Sequence, residues 1–151
     1  MTHKYVEVGA TYFDDAFGDP DTLGENAIRC LNGVSVDFDT MVGMGLSGSL
    51  VVPVLARLFD VNFAIVRKEY SSHDHSEIVG RIGHRWIFVD DFICSGQTLQ
   101  RVKNVMDVTK RGSFRLNDLK YVGSYEYQKI DYETSKKGQF IPSLEGLDKD
   151  G

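Results

Sequence analysis

Only two cysteines, Cys30 and Cys94, occur in the 151 residues. Two thiols make no disulfide framework and fit a reducing compartment. Basic residues are in deficit: 17 Lys and Arg stand against 22 Asp and Glu, for a formal net charge of −5. That balance argues against a general binder of nucleic acid or of a membrane surface, so a positive site for a polyanion would have to be local. No run approaches the ~18 apolar residues of a spanning helix. Met1-Thr2-His3-Lys4 opens no apolar stretch of signal-peptide length, and no internal repeat is visible. The expectation is a soluble, cytoplasmic protein. What is present is ordinary for one globular domain over residues 1–151: 42% hydrophobic and 26% charged residues. A chain of this length buries ~68–70% of its unfolded surface.

Asp14 to Asp21 is acidic, carries Gly18 and Pro20, and reads as a loop; its aspartates do not follow calcium-loop spacing. Leu23 to Leu31 suits a short helix entered near Asp21-Thr22 and stopped by Asn32-Gly33. Val34 to Val42 suits a strand. Gly48 to Phe59 places Leu50, Val51, Val54, Leu55 and Leu58 at helical spacing, although Pro53 would break an internal hydrogen bond unless it sits in the first turn. Val61 to Val66 is a buried-strand run. Arg67 to Glu77 is polar and reads as a long exposed loop, left by a short strand at Ile78 to Ile82. Trp86 to Val89 is apolar and runs into Asp90-Asp91. Gly96 to Thr109 has Leu99, Val102, Val105 and Met106 on one helical face. Leu116 to Tyr127 reads as a final strand region. From about Thr134 the tail is polar and partly ordered at best, which leaves a core over about residues 34–127.

Strands alternating with helices argue for an α/β fold: a mostly parallel central sheet with helices on both faces. In such sheets ligands bind beyond the C-terminal strand ends. The loops Gly43 to Gly48, Arg67 to Glu77 and Asp90 to Thr98 all follow predicted strands, so all three converge on one edge.

At the third of these, two adjacent carboxylates are awkward for folding alone, because like charges repel and neither is buried cheaply. They make sense as acceptors for vicinal hydroxyls or beside a metal-bound ligand. The following small residues, with the hydroxyls of Ser95 and Thr98 and backbone N–H groups at a helix start, form a cup for an anion. A plainer reading remains: Asp90-Asp91 caps the helix and Gly96 allows a turn.

The order of residues from Trp86 to Leu99 resembles the ribose-phosphate signature of type I phosphoribosyltransferases: apolar strand, Asp-Asp, two variable residues, then a small-residue loop with Gly and Thr. The resemblance implies that Asp90 and Asp91 bind the ribose hydroxyls of 5-phosphoribosyl-1-pyrophosphate (PRPP), and that Cys94, Ser95, Gly96, Gln97 and Thr98 bind its 5′-phosphate. Cys94 stands where Thr, Ala or Asp is common, and Gln97 where Gly is frequent. Members acting on 6-oxopurines have Asp at the place of Cys94, which points away from hypoxanthine-guanine activity.

Gly43-Met44-Gly45-Leu46-Ser47-Gly48 matches G-x-G-x-x-G, with Glu69 following the last glycine by 21 residues. That is the pattern of an NAD-binding Rossmann protein. Against it, 151 residues leave little room for two mononucleotide halves and a substrate domain, and Asp90 to Thr98 stays unexplained. The family resemblance implies instead that Leu46, Ser47 and Gly48 present backbone N–H groups to the diphosphate; a purely structural turn is the third option. Arg67 to Gly80 resembles the mobile loop of orotate phosphoribosyltransferases. Arg67, Lys68 and His73 match that loop, while Ser71 and Ser72 replace its lysine and aspartate. Otherwise Arg67-Lys68 is solvated charge at a strand end and His73-Asp74-His75 are polar side chains facing water, with no partner set for a metal.

The resemblance spans roughly Asp39 to Leu99 and the helix to Thr109. It implies transfer of the phosphoribosyl group to a nucleobase nitrogen, with Lys68, His73, Asp90 and Asp91 as the catalytic set. Mg²⁺ would be the cofactor, reached by Asp90 and Asp91 indirectly through ribose or water. Family members are commonly dimers, so a homodimer is compatible. A small hood from terminal segments would cover the site, built from the first forty residues or from Tyr121, Tyr125, Tyr127 and Tyr132, which serve equally well as core or edge packing. A regulatory protein that binds PRPP without turnover is the alternative, motivated by Ser71 and Cys94.

Overall fold

Apolar runs too short for helices and bounded by polar turns become the strands of one six-stranded sheet. The computed structural model describes residues 6, 8, 9, 19–34, 36–68 and 77–143. Helix α1 (Pro20–Leu31) is opened by Asp19, whose carboxylate accepts the amides of Asp21 and Thr22, with proline in the first turn where its missing N–H is harmless. Strand β1 (Thr40–Met44) leads directly into α2 (Gly45–Phe59), followed by β2 (Asn62–Val66), β3 (Ile78–Gly80) and β4 (Arg85–Asp90). Helix α3 (Gln97–Arg111), a 3₁₀ turn (Phe114–Leu116), β5 (Lys120–Asp131) and β6 (Lys136–Pro142) complete the chain.

The strand order is β3-β2-β1-β4-β5-β6. The four central strands pair parallel, and both edge strands pair antiparallel. Helices α1 and α2 cover one face, where Leu23, Ala27, Leu31, Val51 and Leu55 meet Met41, Ile87 and Tyr125. Helix α3 covers the other, where Val102, Val105 and Met106 meet Val42, Val66 and Phe88. This is the expected α/β sheet with helices on both faces. Among the described residues no helix is long and apolar enough to cross a membrane.

Four sequence expectations shift. The first strand begins at Thr40 rather than Val34, because the chain bends at Val36 and again at Asp39, whose carboxylate accepts the amides of His84 and Arg85. Helix α2 starts at Gly45, three residues early, so Pro53 falls well beyond the first turn. It removes the N–H that would have bonded to Ser49, a residue on the exposed side of the helix where water can take the free carbonyl. The polar tail from Thr134 forms an ordered edge strand, β6, and Phe140 in it packs against the α1–α2 core. Tyr125 and Tyr127 are buried in that core, and Tyr121 stacks on Trp86 at 4.9 Å between ring centroids. None of these three rings is a platform for a base, and Tyr132 stands exposed.

Candidate functional site

The chain leaves β1 through α2 toward β2 and leaves β4 through α3 toward β5, in opposite directions along the sheet. Strands β1 and β4 are neighbours, so the connections diverge between their C-terminal ends and open the crevice where open α/β sheets bind ligands. The glycine loop lies at the end of β1, Arg67-Lys68 at the end of β2, and Asp90-Asp91 at the end of β4. The parallel pairing puts all three on one edge.

At the first of these, Gly43 and Gly48 face one another. A Cβ built on Gly43 would lie 2.6 Å from Val52 Cγ2 and 3.0 Å from Gly48 Cα. The two outer glycines of the motif therefore serve close strand–helix packing, and Gly48 has no free face to offer beyond its amide. Gly45 adopts φ +70°, a conformation open to glycine at little cost, and swings the chain into α2. No side chain caps the N-terminus of α2. Leu46 is exposed and Ser47 half-buried there, and the helix end is positive. The stem of Lys68 crosses this point: a Cβ on Gly45 would touch Lys68 Cδ at 3.4 Å. Gly45 and Lys68, 23 positions apart in sequence, are thus in contact.

Arg67 is held at both backbone ends. Its amide donates to Glu77 O at 2.8 Å, and its carbonyl accepts from Arg101 of α3 at 3.0 Å. His73, Ser71, Ser72, Asp74, His75 and Glu69 lie outside the described residues, and so does the acid that a Rossmann reading needs.

After β4, the amide of Asp91 donates to Asp90 Oδ1 at 2.9 Å and that of Phe92 to Asp91 Oδ1 at 2.7 Å. Burial, reinforced by the neighbouring charge of Asp91, pushes the Asp90 carboxyl up to about 7. Glu126 of β5, in register with Asp90, adds to the rise. Sequence reasoning missed this third carboxylate. It is 6% exposed and accepts the amide of Ile93 at 2.8 Å. Gly96 begins α3 at φ +78° without a side-chain cap. The amide of Gln97 donates to Ser95 Oγ at 3.3 Å. Those of Cys94, Ser95, Gly96 and Thr98 donate to no acceptor among the described residues. The amides of Asp91, Phe92, Ile93 and Gln97 are therefore engaged within the protein, and those of Cys94, Ser95, Gly96 and Thr98 are open. Cys94, Ser95, Gln97 and Thr98 are exposed, and Cys94 is a free thiol.

Among the described residues no group of three or more His, Cys, Asp or Glu could by itself hold a metal. The pair Asp90-Asp91 supplies hard carboxylate oxygens without a cage. That fits Mg²⁺, which keeps its waters and arrives with substrate phosphates rather than filling an all-protein site.

Two uncapped helix starts flank a carboxylate pair at the switch point of a mostly parallel sheet with antiparallel edges; this is the type I phosphoribosyltransferase fold. Among solved structures, the chain is similar to the UMP synthase of Leishmania donovani at 15% identity and TM-score 0.53, over 70% of this chain and 21% of that one. It is similar also to the orotate phosphoribosyltransferase of Francisella tularensis at 17% identity and TM-score 0.50, over 78% of this chain. It spans 52% of the length of the latter protein. No family model and no curated protein matches the sequence.

Proposed function

We propose that the chain binds PRPP and transfers its 5-phosphoribosyl group to a nitrogen of a nucleobase, releasing pyrophosphate. The observation that carries this reading is the juxtaposition across one crevice of Asp90-Asp91, the open amides before α3, and Lys68 lying over the start of α2. Asp90 and Asp91 accept from the ribose hydroxyls. The amides of Cys94 to Gly96 with Ser95, Gln97 and Thr98 hold the 5′-phosphate at the positive end of α3. Leu46, Ser47 and Gly48 offer α2's first amides to the diphosphate, with Arg67 and Lys68 beside it. As the ribose–diphosphate bond breaks, negative charge gathers on the leaving group. Lys68 and the helix end stabilise it, and the crevice holds ribose and base in line. Mg²⁺ bound with the diphosphate supplies further neutralisation of that charge. Asp90 and Asp91 orient the sugar, and His73 remains part of the proposed set from the loop resemblance.

The free thiols fit a reducing, cytoplasmic setting. A second reading, binding without turnover, is favoured by the exposed Cys94 in the phosphate turn and by Ser71 in place of a loop lysine. One set of measurements separates the two. PRPP with Mg²⁺ should raise the melting temperature of the wild type, and replacing both acids, Asp90→Asn with Asp91→Asn, should abolish the rise. Survival of the rise would remove the ribose assignment. Pyrophosphate release across a panel of bases then identifies an enzyme; stabilisation with no release for any base identifies a sensor.

A further inference from the structure

Strand β5 outruns β4 and lies alongside the turn that follows it, and two of its residues hold that turn's backbone. Gln128 N donates to Asp91 O at 3.2 Å, and Glu126 Oε2 accepts from Ile93 N at 2.8 Å. Ile93 in turn packs its side chain against the α3-side core. Glu126 is 6% exposed, and burying a carboxylate is expensive. Its in-register neighbour is Asp90, beside Asp91, so it adds like charge where two acids already stand. The sheet's packing does not require this residue type; an amide or hydroxyl would accept the same N–H with less desolvation. What the glutamate adds is reach: from β5 its Oε2 extends to the amide of Ile93 in the neighbouring turn, where a shorter side chain would fall short.

We propose that Glu126 is a positioning residue for the phosphate-and-ribose turn, holding Ile93 so that Asp91 on one side and Cys94 to Thr98 on the other keep the spacing a 5-phosphorylated ribose requires. The inference rests on the function proposed above and deepens it. Glu126 acts through Ile93 and does not touch the ligand. Phe92, between the anchored residues, is 49% exposed and its amide is tied only to the adjacent Asp91 side chain. With Ile93 released, the turn can relax while the sheet beneath it stays intact.

The test compares full-length wild type, Glu126→Gln and Glu126→Asp. The glutamine keeps an acceptor at the same reach. The aspartate keeps the charge but draws the acceptor back by one methylene. Affinities for ribose 5-phosphate and PRPP are measured by calorimetry, and amide exchange at Ile93 is read against Ile87 in β4. Glu126→Gln should stay within about threefold of wild type, and Glu126→Asp should lose about tenfold for both ligands, the scale of one hydrogen bond to a charged group. Ile93 should exchange faster in the aspartate variant with Ile87 unchanged. Equal affinities in the two variants, the reverse order, or loss of protection at Ile87 together with Ile93 would overturn the proposal. A wild type that binds neither ligand would instead overturn the function above. Ile93 exchange in the two variants would still decide whether Glu126 holds the turn.

Discussion

Asp90 shows how one side chain can work against the stability of the fold that presents it. Its folded-state carboxyl holds a proton up to about pH 7, through burial first and the Asp91 charge second, whereas in the unfolded chain it ionises near the ordinary value of 3.8. A raised carboxyl contributes stability that is fully present below the unfolded value and is lost as pH rises toward the folded one. Asp90→Asn keeps an oxygen for the amide of Asp91 and removes the titration. Its melting temperature, relative to wild type, should therefore climb between pH 4 and pH 8 and level off beyond. The full shift would correspond to about 4 kcal/mol. The group is only partly buried, so screening reduces the expected gain at pH 8 to about 1–2 kcal/mol. A pH-independent difference between the two proteins would refute the assignment. Gly43 and Gly48 teach a different lesson at this scale. A motif that reads as a phosphate cradle also fixes how closely β1 and α2 approach, so its glycines cannot be credited to ligand binding alone.

Among the elements, what was legible in sequence was what is encoded locally. Strand β4 and the turn at Asp90 could be read because an apolar run, two acids and a helix start follow one another without interruption. The start of β1 could not, because the chain bends at Val36 and Asp39 before the strand, and the carboxylate of Asp39 is fixed by amides of His84 and Arg85, which are distant in sequence. Glu126 escaped for the same reason: its partner Ile93 is 33 residues away, and an acid among tyrosines reads as a solvated charge on a strand. Strand β6 is mostly exposed and polar, and only its pairing with β5 and the burial of Phe140 make it a strand. The end of α2 carries a defect of similar kind. Its C-cap, Asp60, sits in the left-handed region at φ 55°, where glycine is favoured. Asp60→Gly should stabilise the protein by about 0.5–1 kcal/mol in denaturant titrations. A loss of stability would mean that the aspartate side chain contributes more at this cap than the backbone strain removes.

At the level of the whole molecule, the divergence of connections between β1 and β4 divides the proposed ligand into two halves held by different parts of the chain. The β1 and β2 ends carry Lys68 and the start of α2. The β4 end carries the paired acids and the start of α3, anchored from β5. In the proposed function the acids would meet the ribose and Lys68 the diphosphate; a fragment of PRPP should therefore report on one half only. Pyrophosphate with Mg²⁺ should bind more weakly to Lys68→Ala, by about 3- to 10-fold for one partly exposed charge, and bind Asp91→Asn as it binds wild type. Ribose 5-phosphate should show the opposite dependence. Intact PRPP should feel both changes, with penalties adding because the two residues follow separate strands. Calorimetric titration of the three ligands against the two single variants and the double variant measures all of these terms. If Lys68→Ala weakened ribose 5-phosphate as much as pyrophosphate, the two halves would not be separate. The division of labour drawn from the strand order would then be wrong, even with every residue in its place.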